Sequence, residues 1–308
     1  MKLVAPPIQK DIIKAAAIET TNKIMEELGD DLFSVLVDES RDVSCKEQMA
    51  VLLRYVSKQG SIVERFLAVV HVKETTSMSL KESLEELFCR HKLSFSRLRG
   101  QGYDGASNMR GEFNGLKALI LNENSSAYYV HCFAHQLQFT EANTELLRCM
   151  SCLHPRSNFC AFDKVHLIEL ARFYPNDFSN SELSILETQL DCYIQDLCTD
   201  QDFSQLNGMS DLSQKLVAKR KDIIYPLVYK LIKLALIFPV ATASVERAFS
   251  AMKIVKTRLR NKMGDEFLND NLVTYIEKEV FRQVSNEAIM QRFQTMKTRK
   301  GVLIALEN

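Results

Sequence analysis

The chain has no tryptophan, only 10 glycines and 6 prolines among 308 residues, and no surplus of charge, with 39 basic side chains against 39 acidic. The charge balance excludes the strong electrostatic footprint of a free-standing nucleic-acid binder. Long apolar runs are missing too. The best candidate, Leu227 to Val240, is broken by Lys230, Lys233 and Pro239, so nothing approaches the roughly 18 residues of a membrane span. Met1-Lys-Leu-Val-Ala-Pro-Pro7 shows no signal-peptide pattern. The 8 cysteines are irregularly spaced, which favours reduced thiols over a disulfide framework and points to a soluble, intracellular protein. Gly100, Gly102, Gly105, Gly111 and Gly115 form a glycine-rich run, but it lacks the Lys-Ser/Thr of a phosphate-binding loop and the dinucleotide fingerprint. Those glycines read as permitting tight turns around Asp104. No internal repeat or low-complexity tract is present.

What is there is a composition 46% hydrophobic, enough for one large core or two modest ones. Residues 10–28 carry an amphipathic helical stripe. Leu32–Val37 is a short, continuous, β-prone run suited to a strand buried on both faces. Met49–Val56 and Ile62–Val72 read as two further strands, joined by a hairpin loop at Lys58-Gln-Gly-Ser61. Ser79-Leu-Lys-Glu82 reads as a capping box opening a helix. A strand at Arg97–Tyr103, a helix at Leu116–Asn122 and a strand at Tyr128–Phe133 follow. The order of three strands, helix, strand, helix, strand matches an α/β, ribonuclease-H-like mixed sheet flanked by helices. Downstream the pattern is helical. Ile224–Phe238 is apolar nearly all round and must be a buried helix. Ala243–Arg260 reads as one helix with Val245, Phe249, Met252, Val255 and Leu259 on its inner side.

Three acids stand out. Asp38 ends the first apolar run, Asp104 follows the fourth strand, and Glu246 opens a late helix. Hard divalent cations take oxygen ligands, and two ions about 4 Å apart can clamp the attacking and leaving oxygens of a phosphoryl transfer. Each acid also has a plainer reading. A carboxylate suits the first turn of a helix, and Asp is common at turns.

Together, Asp38-Glu-Ser40, Gly102-Tyr-Asp-Gly-Ala-Ser-Asn-Met109, Cys132-Phe-Ala-His135 and Ser244-Val-Glu-Arg-Ala-Phe-Ser250 resemble the four blocks of hAT-superfamily (hobo, Activator) transposases. The zinc-finger MYM-type-like, transposase-derived group is the nearest match, and the similarity runs from about residue 10 to about residue 297. The resemblance implies that Asp38, Asp104 and Glu246 are an Asp-Asp-Glu triad binding Mg²⁺ or Mn²⁺. It also implies that Cys132 and His135 support the site, that the location is nuclear, and that the C-terminal block mediates dimerisation with itself or related hAT proteins. Arg247, beside Glu246, has the planar fork to contact phosphate or hold a carboxylate, against the plainer reading of a surface salt bridge. DNA is the further partner it implies; no membrane is. Two departures point to a domesticated or impaired derivative. No zinc finger precedes Asp38, and the helical insertion expected between His135 and Glu246, with its base-stacking tryptophan, looks deleted to about 110 residues. Stacking is worth about 1–3 kcal/mol per base, so its loss should hurt strand transfer. An active metal-dependent transposase or nuclease is the alternative.

The expected organisation is an N-terminal helix at 1–30, the first part of the ribonuclease-H-like core at 31–139, a helical remnant and connector at 140–223, the dimerisation region at 224–297 and a tail at 298–308. Leu227, Leu231, Leu234 and Phe249 are the candidate dimer contacts, because the apolar content of Ile224–Phe238 exceeds one helical stripe. Lys253, Lys256, Arg258, Arg260 and Lys262, a run with no acid in it, are candidate DNA contacts, against the plainer reading of solvated helix surface. Cys132-x-x-His135 with Cys149-x-x-Cys152 has the ligand types and spacings of a structural zinc site, but Cys149 and Cys152 are more simply small hydrophobes on a helix.

Overall fold

A computed structural model describes residues 5–103, 106–111, 114–131, 141–239 and 243–297. Helix α1 (Pro6–Leu28) leads into strands β1 (Phe33–Arg41), β2 (Glu47–Val56) and β3 (Ile62–His71). Next come α2 (Ser77–Arg90), β4 (Leu98–Tyr103), the single turn α3 (Ser107–Arg110), α4 (Leu116–Glu123) and β5 (Tyr128–His131). The sheet order is β3-β2-β1-β4-β5. β1, β2 and β3 are antiparallel neighbours, whereas β1 with β4 and β4 with β5 run parallel. This is the ribonuclease-H-like arrangement the strand order predicts.

The alternation along β1 explains why the sheet is covered on both sides. Phe33, Val35 and Val37 join a core with α2 and α4, while Leu36 points the other way, into a second core. The β2–β3 hairpin turns at Gly60, whose φ of +80° favours glycine, with Ser57 N–H donating to Ser61 O at 2.8 Å. β3 is an edge strand, and its outward backbone donors are capped by side chains. Phe66 N–H donates to Glu277 Oε1 at 2.7 Å and Val69 N–H to Asn269 Oδ1 at 2.9 Å, which removes an open pairing edge. The helix start expected at Ser79 lies three residues upstream, and it is a simple N-cap and not a capping box. Thr76 is the N-cap of α2 and its side chain accepts from Ser79 N–H.

The C-terminal half is helical: α5 (Glu141–Ser151), the single left-handed turn α6 (Arg156–Phe159), α7 (Lys164–Arg172), α8 (Asn180–Thr199), α9 (Met209–Ala218), α10 (Lys221–Ile224) and α11 (Pro226–Ile237). Most of these helices share one core with the end of the sheet at Val56 and Val130. α12 (Ala243–Val255), α13 (Asp265–Ile276), α14 (Lys278–Phe281) and α15 (Asn286–Thr295) follow. α12 and α13 cover the Leu36 face, and α13 to α15 pack on α1. The helix expected to run to Arg260 stops at Val255. Thr257 is extended (φ −99°, ψ 171°) and Arg258–Arg260 form a separate 3₁₀ turn. The helical phase is lost there, so Leu259, expected inside, is 98% exposed.

Candidate functional site

Asp38 lies within β1, not at its end, since the antiparallel ladder continues to Arg41 opposite Glu47. The parallel ladder with β4 stops earlier, at Leu36 opposite Gly102. Asp38 therefore sits just beyond the point where its parallel neighbour leaves off. It is two residues from Leu36 and paired with Ala50, and both of those pack in the core that α12 covers. With a side-chain period of two, Asp38 faces the same side of the sheet. The side chain is half-buried, and its Oδ1 accepts the backbone N–H of Glu39 at 2.9 Å.

Asp104 lies outside the described residues, but the chain on either side of it is anchored. β4 delivers Tyr103 to a fully buried position. Beyond, Asn108 Nδ2 donates to Glu39 Oε2 and to Thr75 O, both at 2.9 Å, and Asn108 O accepts from Ser77 Oγ at 2.8 Å. Glu39 and Asn108 thus tie the Asp38-Glu-Ser block to the Gly-Ala-Ser-Asn block. The sequence held both residues in its motifs without indicating that they bond.

Glu246 is placed by α12, and α12 by three devices. First, Val245, Ala248, Phe249 and Met252 pack on the sheet beside Leu36 and Ala50. Second, Pro239 lies against β4 at Gly100 and Gly102. A Cβ on Gly100 would stand 2.6 Å from Pro239 Cδ, and one on Gly102 2.9 Å from Leu36 Cδ2 and 3.0 Å from Pro239 Cβ. These two glycines therefore sit in a strand and permit close approach, correcting their reading as turn residues. Third, Arg54 on β2 donates to Leu236 O at 2.9 Å and to Glu64 Oε1 at 2.6 Å, Glu64 accepts from Ser244 Oγ, and Arg247 Nη2 donates to Ser244 Oγ at 2.5 Å. The cross-strand pair Arg54–Glu64 so fastens both ends of the α11–α12 connection to the sheet. Nothing in the sequence marked Arg54 or Glu64, whose partners are some 180 residues away.

Glu246 itself is exposed in the first turn of α12, as is Arg247 beside it. β1 and α12 are in direct contact. Asp38 and the Glu246 helix are thus brought to one face of the sheet. The donors are carboxylate oxygens, the type Mg²⁺ or Mn²⁺ takes, and the exposed Glu246 makes no ion pair among the described residues.

Lys256 is not a surface cation. It is 1% exposed, and its Nζ lies 2.6 Å from Asp42 Oδ2, itself 1% exposed. Burial alone would raise the Asp42 pKa, but hydrogen bonds from Lys256, Ser44 and Gln48 outweigh it and hold the carboxyl well below the usual range. Lys253, Arg258, Arg260 and Lys262 are exposed and form no ion pair among the described residues. Leu227, Leu231, Leu234 and Phe249 are not surface contacts either, being 7%, 0%, 1% and 7% exposed in the interior of this chain. The apolar excess of α11 is absorbed because the helix is enclosed by β2, β4, α7, α8 and α9. Cys132 and His135 lie outside the described residues. Cys149 on α5 and Cys152, in the turn just after it, are both buried in the helical core. The described cysteines are all free thiols. No helix among the described residues is long and apolar enough to cross a membrane.

Two family models match the chain. The ZMYM1/FAM200 RNase-like domain matches residues 1–115, from α1 through β4 and the Asn108 turn. The hAT family C-terminal dimerisation region matches residues 191–280, from α8 to α14 and including the Glu246 helix. The first carries Asp38 on the sheet and the second supplies the helix that covers it. The two matches, at the two ends of one chain, support a hAT-derived, transposase-derived protein similar to those of the ZMYM1/FAM200 kind.

Proposed function

We propose that the protein is a self-associating, transposase-derived nuclear protein that contacts DNA and in which transposition chemistry is impaired. The observation that carries the reading is the dimerisation-region match at 191–280, on the same chain as the RNase-like match. With α11 buried, self-association needs another surface in that region. Ile223 and Ile224 on α10 supply it, at 61% and 60% exposure. They stand on a turn held rigid from inside. Lys221 Nζ donates to Asp196 Oδ2 at 2.5 Å, and Tyr225 Oη donates to the same oxygen at 3.0 Å. Adjacent apolar side chains on a fixed base suit anchoring in a second copy.

Lys253, Arg258, Arg260 and Lys262 are the DNA contacts in this reading. Each phosphate they neutralise steepens the salt dependence of binding by about 0.9 in the log–log slope. A titration of duplex DNA across salt tests it. The expected result is a slope that falls when Arg258→Glu and Arg260→Glu are introduced; an unchanged slope removes the assignment.

Impairment rests on sequence. The chain has no tryptophan, and the interval from His135 to Glu246 is about 110 residues, short for the helical insertion that the resemblance implies. The rival reading, an active Asp-Asp-Glu enzyme, is favoured by Asp38 facing the side that α12 covers and by the exposure of Glu246. Bound Mg²⁺ or Mn²⁺ would supply Lewis-acid stabilisation of the reacting phosphate. In that reading Asp38, Asp104 and Glu246 hold the metal. Supercoiled plasmid incubated with a metal series, beside an Asp38→Asn/Glu246→Gln control, separates the two. We expect no hairpin or strand-transfer product. Metal-dependent products lost in the control would establish the active enzyme instead.

A further inference from the structure

We propose that Glu145, Cys149 and Glu169 form a site for a borderline divalent cation, with zinc as the best match, at the contact between α5 and α7. The site lies in the helical core of the C-terminal half, apart from the sheet face of Asp38 and Glu246. Neither family match covers it.

The geometry is that of converging donors from two helices. Glu145 and Cys149 are one turn apart on α5, so they share a face. Glu169 comes from α7, which packs on α5. One ligand atom from each of the three lies within 4.8 Å of the other two. Cys149 is 0% exposed, and its Sγ donates to Glu145 Oε1 at 3.7 Å, so the thiol already points at one of the carboxylates. An ion can enter from the Glu145 side, where that side chain is 33% exposed and Arg148 Nη2 lies 2.6 Å away as the resident counter-charge.

The donor set selects the metal. A thiolate is a poor ligand for Mg²⁺ or Ca²⁺, whereas zinc takes sulfur and carboxylate oxygen together. Three protein donors leave the fourth tetrahedral position to water. The metal-free protein holds the site in the wrong protonation state. Burial first, then the charges of Glu145 and Glu169, push the Cys149 thiol up to about 12. A divalent cation reverses the electrostatic causes and deprotonates the sulfur it binds. Binding therefore breaks the S–H bond, forms a metal–sulfur bond and releases that proton to solvent. The other titratable or charged groups around the site are Arg148 on α5, Cys152 in the turn after it, and Asp163 with His166 at the start of α7. His166 Nδ1 lies 2.9 Å from Asp163 Oδ2. Cys152 is not a member, since its Sγ is directed at Arg148 O at 3.6 Å. The Cys149-x-x-Cys152 spacing thus contributes one ligand, and the carboxylates replace the other cysteine.

The test is a titration of the metal-free full chain with Co²⁺, then Zn²⁺. We expect a near-ultraviolet sulfur-to-cobalt charge-transfer band that saturates at about one equivalent, collapses on adding Zn²⁺, and accompanies release of about one proton per ion. Cys149→Ser should abolish the band and Cys152→Ser should leave it intact. Glu169→Gln should weaken Zn²⁺ binding by at least about 10–100-fold, the range lost even when only an outer-sphere partner is removed. Absence of the band in the wild type overturns the site. So does a band that survives Cys149→Ser, because the ion is then held elsewhere. If Cys149→Ser does not fold, unchanged affinity in Glu169→Gln, with native far-ultraviolet circular dichroism, overturns it as well.

Discussion

Helices α11 and α12 are consecutive in the chain, and their sequences invite opposite expectations that the fold reverses. α11 is the most apolar segment in the protein, and that excess suggested a face left over for a partner. Yet Leu227, Val228, Leu231, Ile232, Leu234, Leu236 and Ile237 are all interior. Burying such side chains contributes about 1.5–3 kcal/mol each. α12 and the turn after it look like an amphipathic helix with a basic end. There the fold exposes Ile254 and Leu259, and it buries a lysine. Apolar content reports how many faces an element must cover, not which face meets a second molecule. A helix enclosed by a sheet and three other helices buries every leucine, isoleucine and valine it has.

The comparison breaks first at Leu231. If α11 is core, Leu231→Asp places an unpaired charge in the interior at a cost of several kcal/mol. The expected outcome is loss of the folded state in chemical denaturation. A folded variant that is merely monomeric would return α11 to the surface.

A smaller but still large effect belongs to the buried lysine. Lys256→Met leaves the Asp42 carboxylate without its counter-charge, at about 3–5 kcal/mol. The pair also fixes an acid response. The Asp42 pKa is depressed in the folded state, so its contribution is fully present above the ordinary carboxylate range. It is lost as pH falls through the depressed folded value. Urea midpoints measured from neutral to strongly acidic pH should show a loss of stability on the acid side that is shallower in Lys256→Met.

Smaller again is the clamp on the α11–α12 connection. Arg54→Ala removes the hydrogen bonds to Leu236 O and Glu64, worth about 1.5–3 kcal/mol for a charged donor. It should loosen residues near Ser244 before it unfolds the sheet. Limited proteolysis would register that as a new cleavage close to the start of α12. Global unfolding without such local cleavage would show the clamp to be part of the general core.

The sequence was most legible where one local period decides the structure. The β1–β3 run and the helices of the second half follow from alternation or from helical spacing, although the apolar run read as one helix from Ile224 begins at Pro226 and leaves Ile224 exposed on α10. Motif spelling likewise led to Asp38 and to the helix of Glu246. What was not legible depends on partners remote in sequence. Arg54 and Glu64 look like any charged pair on a strand until Leu236 and Ser244 arrive. Lys256 reads as one cation in a basic run until Asp42 is folded against it, 214 residues away. Gly100 and Gly102 look like turn residues until Pro239 is laid over them. Leu259 follows the inward stripe of α12 by count, and only the extended Thr257 takes it out of phase.

The central claim is that this chain pairs with a second copy through surface outside α11. Its most direct measurement is light scattering of the wild type beside Ile223→Glu/Ile224→Glu at tens of micromolar. Surface changes of this kind usually alter stability by no more than about 0.5 kcal/mol, so the variant should remain folded. The account predicts a wild-type dimer or larger assembly and a folded monomeric variant. A monomeric wild type, or a variant that assembles as the wild type does, would contradict it.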